Sequence, residues 1–215
     1  MGGRNLVRAA AAAGVRRCVI GSGYWVYRNN PGRLTESSPL APMSISKFNF
    51  EAEELVRRPE IRDRMESVIL RPGMVYGPGS WFGEMVSELR SGTYTYIGRG
   101  SNYLSPVRLE DAGEAFRIAV ESGRPGEAYL VADDAPVTTR RFADFVSERL
   151  GVPPASGIGF ARACREWGVE IATLNRASRR ASNRKLKTLG WRPRTRTFRE
   201  GVPEVLETMG RSLRA

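Results

Sequence analysis

The sequence lacks histidine altogether, and this absence excludes any mechanism that needs an imidazole base or ligand. Cysteine is also scarce, because Cys18 and Cys164 are the only two and lie far apart in the 215 residues. We expect both thiols to be reduced, as in a cytoplasmic protein. No Cys/Asp/Glu cluster has metal-ligand spacing, and no run of eighteen apolar residues could span a membrane, so neither a metal nor a membrane is expected.

Lysine is nearly absent from a strongly basic chain. The formal net charge is +11, yet Lys47, Lys185 and Lys187 are the only lysines, and arginine carries the rest. Residues 176–199 hold ten basic and no acidic side chains. We expect this stretch to be a solvated face; it leaves an anionic partner open, whereas nucleic acid is not expected.

The hydrophobic pattern predicts alternating strands and helices in one domain, which indicates an α/β fold with a parallel sheet. A small, mostly helical lobe is expected in the C-terminal part. Residues 29–42 are expected to form a loop. Helices are predicted at 4–13, 43–57, 80–91, 110–121, 138–150 and 198–209, and strands at 17–20, 67–70, 94–97, 104–109 and 126–132.

Four segments in order resemble the extended branch of the short-chain dehydrogenase/reductases, the NAD-dependent epimerase/dehydratase family. The resemblance covers nearly the whole chain, although each motif alone is weak. The segments are VRRCVIGSGYWVYR at 15–28, SVILRPGMVYGP at 67–78, GRGSNYLSPVRLEDAGEAF at 98–116 and SNRKLKTLGWRPRTRTFREG at 182–201. The resemblance implies a partial Rossmann-like parallel sheet. Residues 1–125 would form the sheet core, and residues 126–215 a further strand and the substrate lobe.

The family begins with a Gly-x-x-Gly-x-x-Gly turn that holds the dinucleotide pyrophosphate, and this chain has no such turn. Gly21-Ser22-Gly23 is better explained as a tight turn. We therefore expect the first βαβ half to be missing, either as a natural half-fold or through a misplaced start. No cofactor is expected, and NAD or NADP would bind only if that half came from elsewhere. The bare sheet edge predicts a homodimer, a partner chain or a rearranged N-terminus that covers it.

The resemblance also implies a catalytic triplet of Ser or Thr, Tyr and Lys. Lys47 stands at the lysine position, but Met43 replaces the tyrosine and Gly23 the Ser or Thr. A thioether cannot transfer a proton as a phenol does. Tyr24 or Ser22 could supply a hydroxyl instead, and packing of Tyr24 in an aromatic pocket is the alternative.

The substrate side of the sequence favours a small, largely apolar ligand. Leu104 replaces an arginine that binds diphosphate in members acting on nucleotide sugars. Arg108 stands where many members have histidine. The candidate substrate-binding residues are Trp25, Tyr27, Met43, Tyr76, Trp81 and Arg108.

Three functions remain open at this stage. The first is an enzyme without normal NAD-dependent redox chemistry, an isomerase, dehydratase or cyclase acting on a small apolar metabolite of secondary metabolism. The second is a non-catalytic binding or partner subunit. The third is a truncated copy of an NAD-dependent enzyme.

Overall fold

The computed structural model describes residues 2–212, with side chains over 3–210. Its central sheet is parallel, with strand order β1-β3-β8. Four short pairs surround it: β10 with β5, β11 with β2 and β4 with β7 are parallel, and β6 with β9 is antiparallel. The strands are β1 Arg17–Gly21, β2 Asn30–Leu34, β3 Glu66–Pro72, β4 Met74–Tyr76, β5 Thr95–Ile97, β6 Tyr103–Leu104, β7 Pro106–Arg108, β8 Ala128–Val131, β9 Val137–Thr138, β10 Ser156–Ile158 and β11 Arg179–Ala181.

Helices cover the sheet and build a C-terminal lobe. The predicted α/β class is therefore confirmed, and α7 to α9 lie in the lobe. The helices are α1 Gly2–Ala12, α2 Ser44–Arg57, α3 Pro59–Arg62, α4 Trp81–Ser91, α5 Leu109–Ser122, α6 Thr139–Leu150, α7 Phe160–Trp167, α8 Val169–Arg176, α9 Arg184–Lys187 and α10 Phe198–Ser212.

The apolar spacing of the helices explains how they pack. In α2, Ala52, Leu55 and Val56 are buried against α1 and the sheet, as helical periodicity requires. In α6, Phe142 and Phe145 join an aromatic cluster with Phe198 of α10. Buried apolar residues thus fix α2 to the sheet and α6 to α10.

Two expectations about local structure were wrong. The loop expected at 29–42 contains β2, because Asn30–Leu34 pairs with β11, which is distant in sequence. The single strand expected at 104–109 is two strands on different partners, separated by Ser105. Gly73 permits this arrangement, since a Cβ there would lie 2.1 Å from the Ser105 carbonyl oxygen.

The two outer edges of the central sheet differ in how their backbone is satisfied. At β8, the Glu36 carboxylate accepts the Leu130 N–H at 2.9 Å, and the Asn183 amide donates to the Ala132 carbonyl at 2.9 Å. At β1, no described residue bonds the outward-facing backbone groups. Among residues 2–212, no helix has both the length and the hydropathy needed to cross a bilayer.

Candidate active site at the carboxyl ends of the strands

The carboxyl ends of β1, β3 and β8 lie at the same edge of the sheet, because the three strands are parallel. Ligands of open α/β sheets bind at this edge. The turn after β1 is a short 3₁₀ helix, Tyr24–Val26, and α2 packs against it. The predicted site residues of this turn and those of α2 therefore lie on neighbouring elements.

A cavity of about 470 Å³ opens beside this turn and extends toward the C-terminal lobe. Its volume lies within the range of small-molecule sites. Eight aromatic side chains line it, together with Met74, Met85, Leu104 and several threonine and asparagine side chains. The aromatic residues are Tyr24, Trp25, Trp81, Tyr94, Tyr96, Tyr103, Phe142 and Trp167.

Tyr24 lines the cavity but is a poor proton donor there. Its side chain is buried and lies edge-on to Trp25, with ring centroids 4.7 Å apart. Burial raises the pKa of the Tyr24 hydroxyl well above its ordinary value, and the positive charge of Arg179 offsets this only in part. The phenol therefore holds its proton more tightly than a free tyrosine does.

The start of the lysine helix is held by the C-terminal lobe. Met43 is the N-cap of α2, and its backbone N–H donates to the Ser46 hydroxyl at 2.9 Å. Glu170 of α8 accepts from the Ser44 hydroxyl and, at 3.3 Å, from the Ile45 N–H. A carboxylate at a helix N-terminus is electrostatically favourable, so Glu170 fixes this end of α2 to the lobe.

Two predicted polar residues have unused hydrogen-bonding capacity. The Ser22 hydroxyl oxygen, one residue beyond β1, is buried without a partner among the described residues. The Lys47 side chain is exposed, and no described residue pairs with its ammonium. Neither residue lines the 470 Å³ cavity, and neither does Met43.

The remaining predicted residues lie elsewhere. The Tyr27 hydroxyl accepts from Arg71 inside the core, and Tyr76 is fully buried with its hydroxyl unpartnered. Arg108 forms ion pairs with Glu110, at 2.8 Å, and with Glu204. Of the nine predicted site residues, the structure thus brings Tyr24, Trp25 and Trp81 to one cavity.

The arginine-rich stretch 176–199 is largely satisfied by the protein itself. Lys185 pairs with Glu127, and Lys187 and Arg196 pair with Asp134. Arg179 and Arg180 stack on aromatic rings, and Arg192 donates to two backbone carbonyls. These contacts occupy most of the basic side chains of the segment, and the solvated face remains a prediction.

Sequence reasoning missed the part of the cavity wall that residues 94–103 and the end of α7 supply. Tyr94 directly precedes β5, Tyr96 lies in β5, Tyr103 lies in β6, and Trp167 ends α7. The high proportion of aromatic residues in these segments was a sequence signal that could have indicated a cavity wall. The pairing of β5 with β10, which brings the segments together, could not be read from the sequence.

Comparison with known proteins places the chain in a family. No family model matches it. A curated relative from Streptomyces sp., 3-diazoavenalumate denitrifying reductase, is 30% identical over 209 residues, which are 94% of this chain and 68% of the relative. The chain therefore belongs to the NAD-dependent epimerase/dehydratase family of short-chain dehydrogenase/reductases, as its motifs implied.

Solved structures share the fold. The human epimerase family protein SDR39U1 (isoform 2) with NADPH matches with a TM-score of 0.83 at 19% identity, over 95% of this chain and 72% of that one. DesIV, a dTDP-glucose 4,6-dehydratase from Streptomyces venezuelae with NAD and TYD bound, matches with a TM-score of 0.80 at 24% identity, over 96% and 63%. The chain thus spans about two thirds of these proteins, and its Rossmann-like class is confirmed.

The expectation of no cofactor was wrong. Several structures that share this fold were solved with NADPH or NAD, which points to dinucleotide binding rather than to its absence. The described residues include groups that could bind the ribose end of such a dinucleotide. The unpartnered Ser22 hydroxyl and Lys47 ammonium are hydrogen-bond donors of the kind that a ribose takes. The sequence holds no glycine turn for a pyrophosphate, so these 215 residues fit only part of the cofactor.

Proposed function

We propose that this protein is an NAD(P)-dependent reductase that delivers hydride to a small aromatic substrate without protonating it from a tyrosine. The observation that carries the proposal is the aromatic cavity at the strand ends, which is lined by Tyr24 and Trp25 of the turn that packs against the lysine helix α2, together with Met43 at the N-cap of that helix. The fold of the family is retained and a cavity of suitable size is present, while the phenolic acid is not. The redox chemistry would therefore differ from that of a ketone reductase.

The missing phenol restricts which substrates can be reduced. Reduction of a carbonyl places a proton on oxygen, and general acids contribute about 10²–10⁴-fold to such steps. Met43 cannot donate a proton, and the raised pKa of Tyr24 makes it a weak donor. A substrate that expels a neutral group on accepting hydride needs no donor.

The name of the Streptomyces relative describes a reaction of this kind, the reductive loss of nitrogen from a diazo compound. For an aryl diazonium ion the balance closes without a proton. The hydride forms the new C–H bond, the C–N bond breaks, and its electron pair leaves with N₂. We propose the same reaction class for this protein.

The chain's own residues have defined parts in this proposal. When bound, the dinucleotide supplies the hydride. Lys47 and Ser22 would bind its ribose end, and the cavity would orient the aromatic ring and exclude water. The pyrophosphate contact would come from protein beyond these residues, through a strand that joins the open edge of β1.

Steady-state turnover of two matched substrates tests the function. The protein should be purified from cells that make it, so that any flanking segment or partner is kept. We expect NAD(P)H oxidation with an aryl diazonium salt and none with the corresponding aryl methyl ketone. Equal turnover of the ketone, or no turnover of either compound, would contradict the proposal.

Hydrogen exchange tests whether a strand covers β1. The Ser22 N–H donates to the Leu70 carbonyl, and the Arg16 carbonyl accepts the Glu66 N–H, so even-numbered residues face β3. In a parallel strand the N–H groups of Val19 and Gly21 then point outward. We expect these two amides to be as protected as those of Cys18 and Ile20, and rapid exchange at both would argue against a covering strand.

A further inference from the structure

The charge of the aromatic cavity differs from the charge of the protein. The chain carries 34 basic and 23 acidic residues, yet among the side chains that the structure describes, the only charged ones lining the cavity are Glu84 and Glu88. Both belong to α4, four residues apart, so they share one face of the helix. One wall of the cavity therefore has an acidic rim.

Neither carboxylate is neutralised by the protein. Over residues 2–212, Glu84 and Glu88 have no ion pair or side-chain hydrogen bond, although most acidic side chains of the protein pair with arginine or bond to backbone. Both are exposed at the mouth of the cavity. The pKa of the neighbouring Tyr94 hydroxyl is raised to about 12. Burial is the larger cause, and the negative charge of Glu88 is the second.

Two arginines lie behind another part of the cavity wall. The Arg179 guanidinium is 5.0 Å from the ring centroid of Trp25, and the Arg180 guanidinium is 4.6 Å from that of Tyr103. Neither arginine lines the cavity. Each occupies one face of a lining ring, so those rings are less available to a second cation. No arginine stacks in this way on Trp81, Tyr94 or Tyr96 among the described residues.

We propose that the cavity binds an aromatic molecule that carries a positive charge, with the charged group held at α4 between Glu84, Glu88 and the ring of Trp81. Electron-rich aromatic faces attract cations, and quaternary ammonium groups are recognised by aromatic cages of this type. Unpaired carboxylates at the rim add a Coulomb attraction and repel anionic ligands such as phosphates. The ligand class deepens the proposed function and rests on this cavity being its substrate site.

Binding of a charge series tests the ligand class without any dinucleotide. The probes are a 2-naphthyl trimethylammonium salt, the isosteric neutral tert-butylnaphthalene, and 2-naphthoate. Titration followed by tryptophan fluorescence should show the cation binding about tenfold more tightly than the neutral probe, with the carboxylate weakest. Equal affinities, preference for the carboxylate, or no binding of any probe would overturn the proposal.

Charge-neutral variants locate the effect. The double variant E84Q/E88Q should lose most of the preference for the cation, a change of about fivefold or more in its affinity, while the neutral probe binds as before. E148Q is the matched control, because Glu148 is also exposed and unpaired but does not line the cavity. An equal loss in E148Q would show a general effect of net charge and would contradict the site.

The two proposals fail separately. If the cation binds through Glu84 and Glu88 but no NAD(P)H is oxidised, the ligand class stands and the reductase function falls. If NAD(P)H reduces a diazonium salt while the cation shows no preference in these titrations, the reductase stands and the acidic rim is not a recognition element.

Discussion

At the scale of single residues, one side chain decides the proposed chemistry. Met43 occupies the N-cap of the lysine helix, four residues before Lys47, where the family has its tyrosine. Its backbone makes the capping hydrogen bonds with Ser46, so the helix start does not depend on the side chain. The side chain is partly buried.

Restoring a phenol at this position should restore carbonyl reduction. We expect Met43→Tyr to raise the rate with an aryl ketone by about 10²-fold or more above that of the unaltered protein, because a general acid becomes available. Met43→Phe, which has the same ring without the hydroxyl, is the control. A ketone rate in Met43→Tyr no higher than in Met43→Phe would show that proton donation is not what the site lacks.

Asp133 gives a prediction of pH dependence. Its carboxyl follows β8, and one oxygen accepts the Ala135 N–H at 3.0 Å while the other is buried without a partner. Burial chiefly, with a contribution from the charge of Asp134, raises the pKa of Asp133 from 3.8 to about 8. The folded protein therefore keeps this proton at neutral pH.

The sign of the resulting stability change follows from proton binding. Between about pH 4 and pH 8 the folded state holds the Asp133 proton and the unfolded state does not, so the free energy of unfolding falls as pH rises, by up to roughly 1.4 kcal/mol per unit. Asp133→Asn should flatten this decline, whereas Asp63→Asn, at an exposed ion pair, should not. Urea unfolding at pH 5 and pH 7.5 measures both slopes, and an unchanged slope in Asp133→Asn would refute the assignment.

How much the sequence could predict differs among these residues. Met43 and Lys47 were identified from the resemblance to the family's Tyr-x-x-x-Lys helix, and the structure puts them at the start of α2. The aromatic residues of the cavity were identified in part, since Trp25 and Trp81 line it. Tyr27, by contrast, is buried in the core, where its hydroxyl accepts a hydrogen bond from Arg71. Whether an aromatic side chain faces a cavity or the core depends on packing between distant segments, which one sequence does not contain.

At the scale of elements, a buried ion pair fixes α2 to the central sheet. Arg71 of β3 donates from Nε to the Glu53 carboxylate at 3.0 Å, and a second bond joins the same two groups. Both residues are almost fully buried, and Arg71 also lies 4.9 Å from the Tyr27 ring centroid. This pair sets the position of the helix that carries Lys47.

Removing the charge of one partner of this ion pair should lower the stability of the fold. Glu53→Gln leaves the Arg71 charge buried without its counter-charge, and we expect a loss of roughly 3–5 kcal/mol in the free energy of unfolding. Glu54→Gln, at an exposed pair with Arg57, should cost at most about 1 kcal/mol. Chemical denaturation of both variants compares them, and a similar small loss in each would mean that the pair does not hold the helix.

Most long elements were predictable because their periodicity is strong and local. The predicted helix 43–57 is α2, Ser44–Arg57, and the predicted helix 138–150 is α6, Thr139–Leu150. The element that was missed, β2, contains Pro31 and Gly32 and exists only through its pairing with β11. Such strands are formed by tertiary contacts and have no local signal.

At the scale of the whole molecule, the sheet and the C-terminal lobe together form the site. The turn after β1 supplies Tyr24 and Trp25, α4 supplies the acidic rim, and α7 and α8 close the cavity with Trp167, Ile171 and Leu174. Glu170 joins the lobe to the lysine helix. In the proposed function, the parts that would contact the substrate come from this chain, and the outward edge of β1 is where a dinucleotide-binding segment would attach.

The most direct measurement compares the reduction of an aryl diazonium salt in H₂O and in D₂O, using 4-deuterated NAD(P)H and the protein from its natural source. We predict deuterium from the dinucleotide on the aryl carbon, release of N₂, and the same rate in both solvents, because no proton moves in the step. A substantially slower rate in D₂O, or label from the solvent on the aryl carbon, would contradict a hydride transfer that needs no acid.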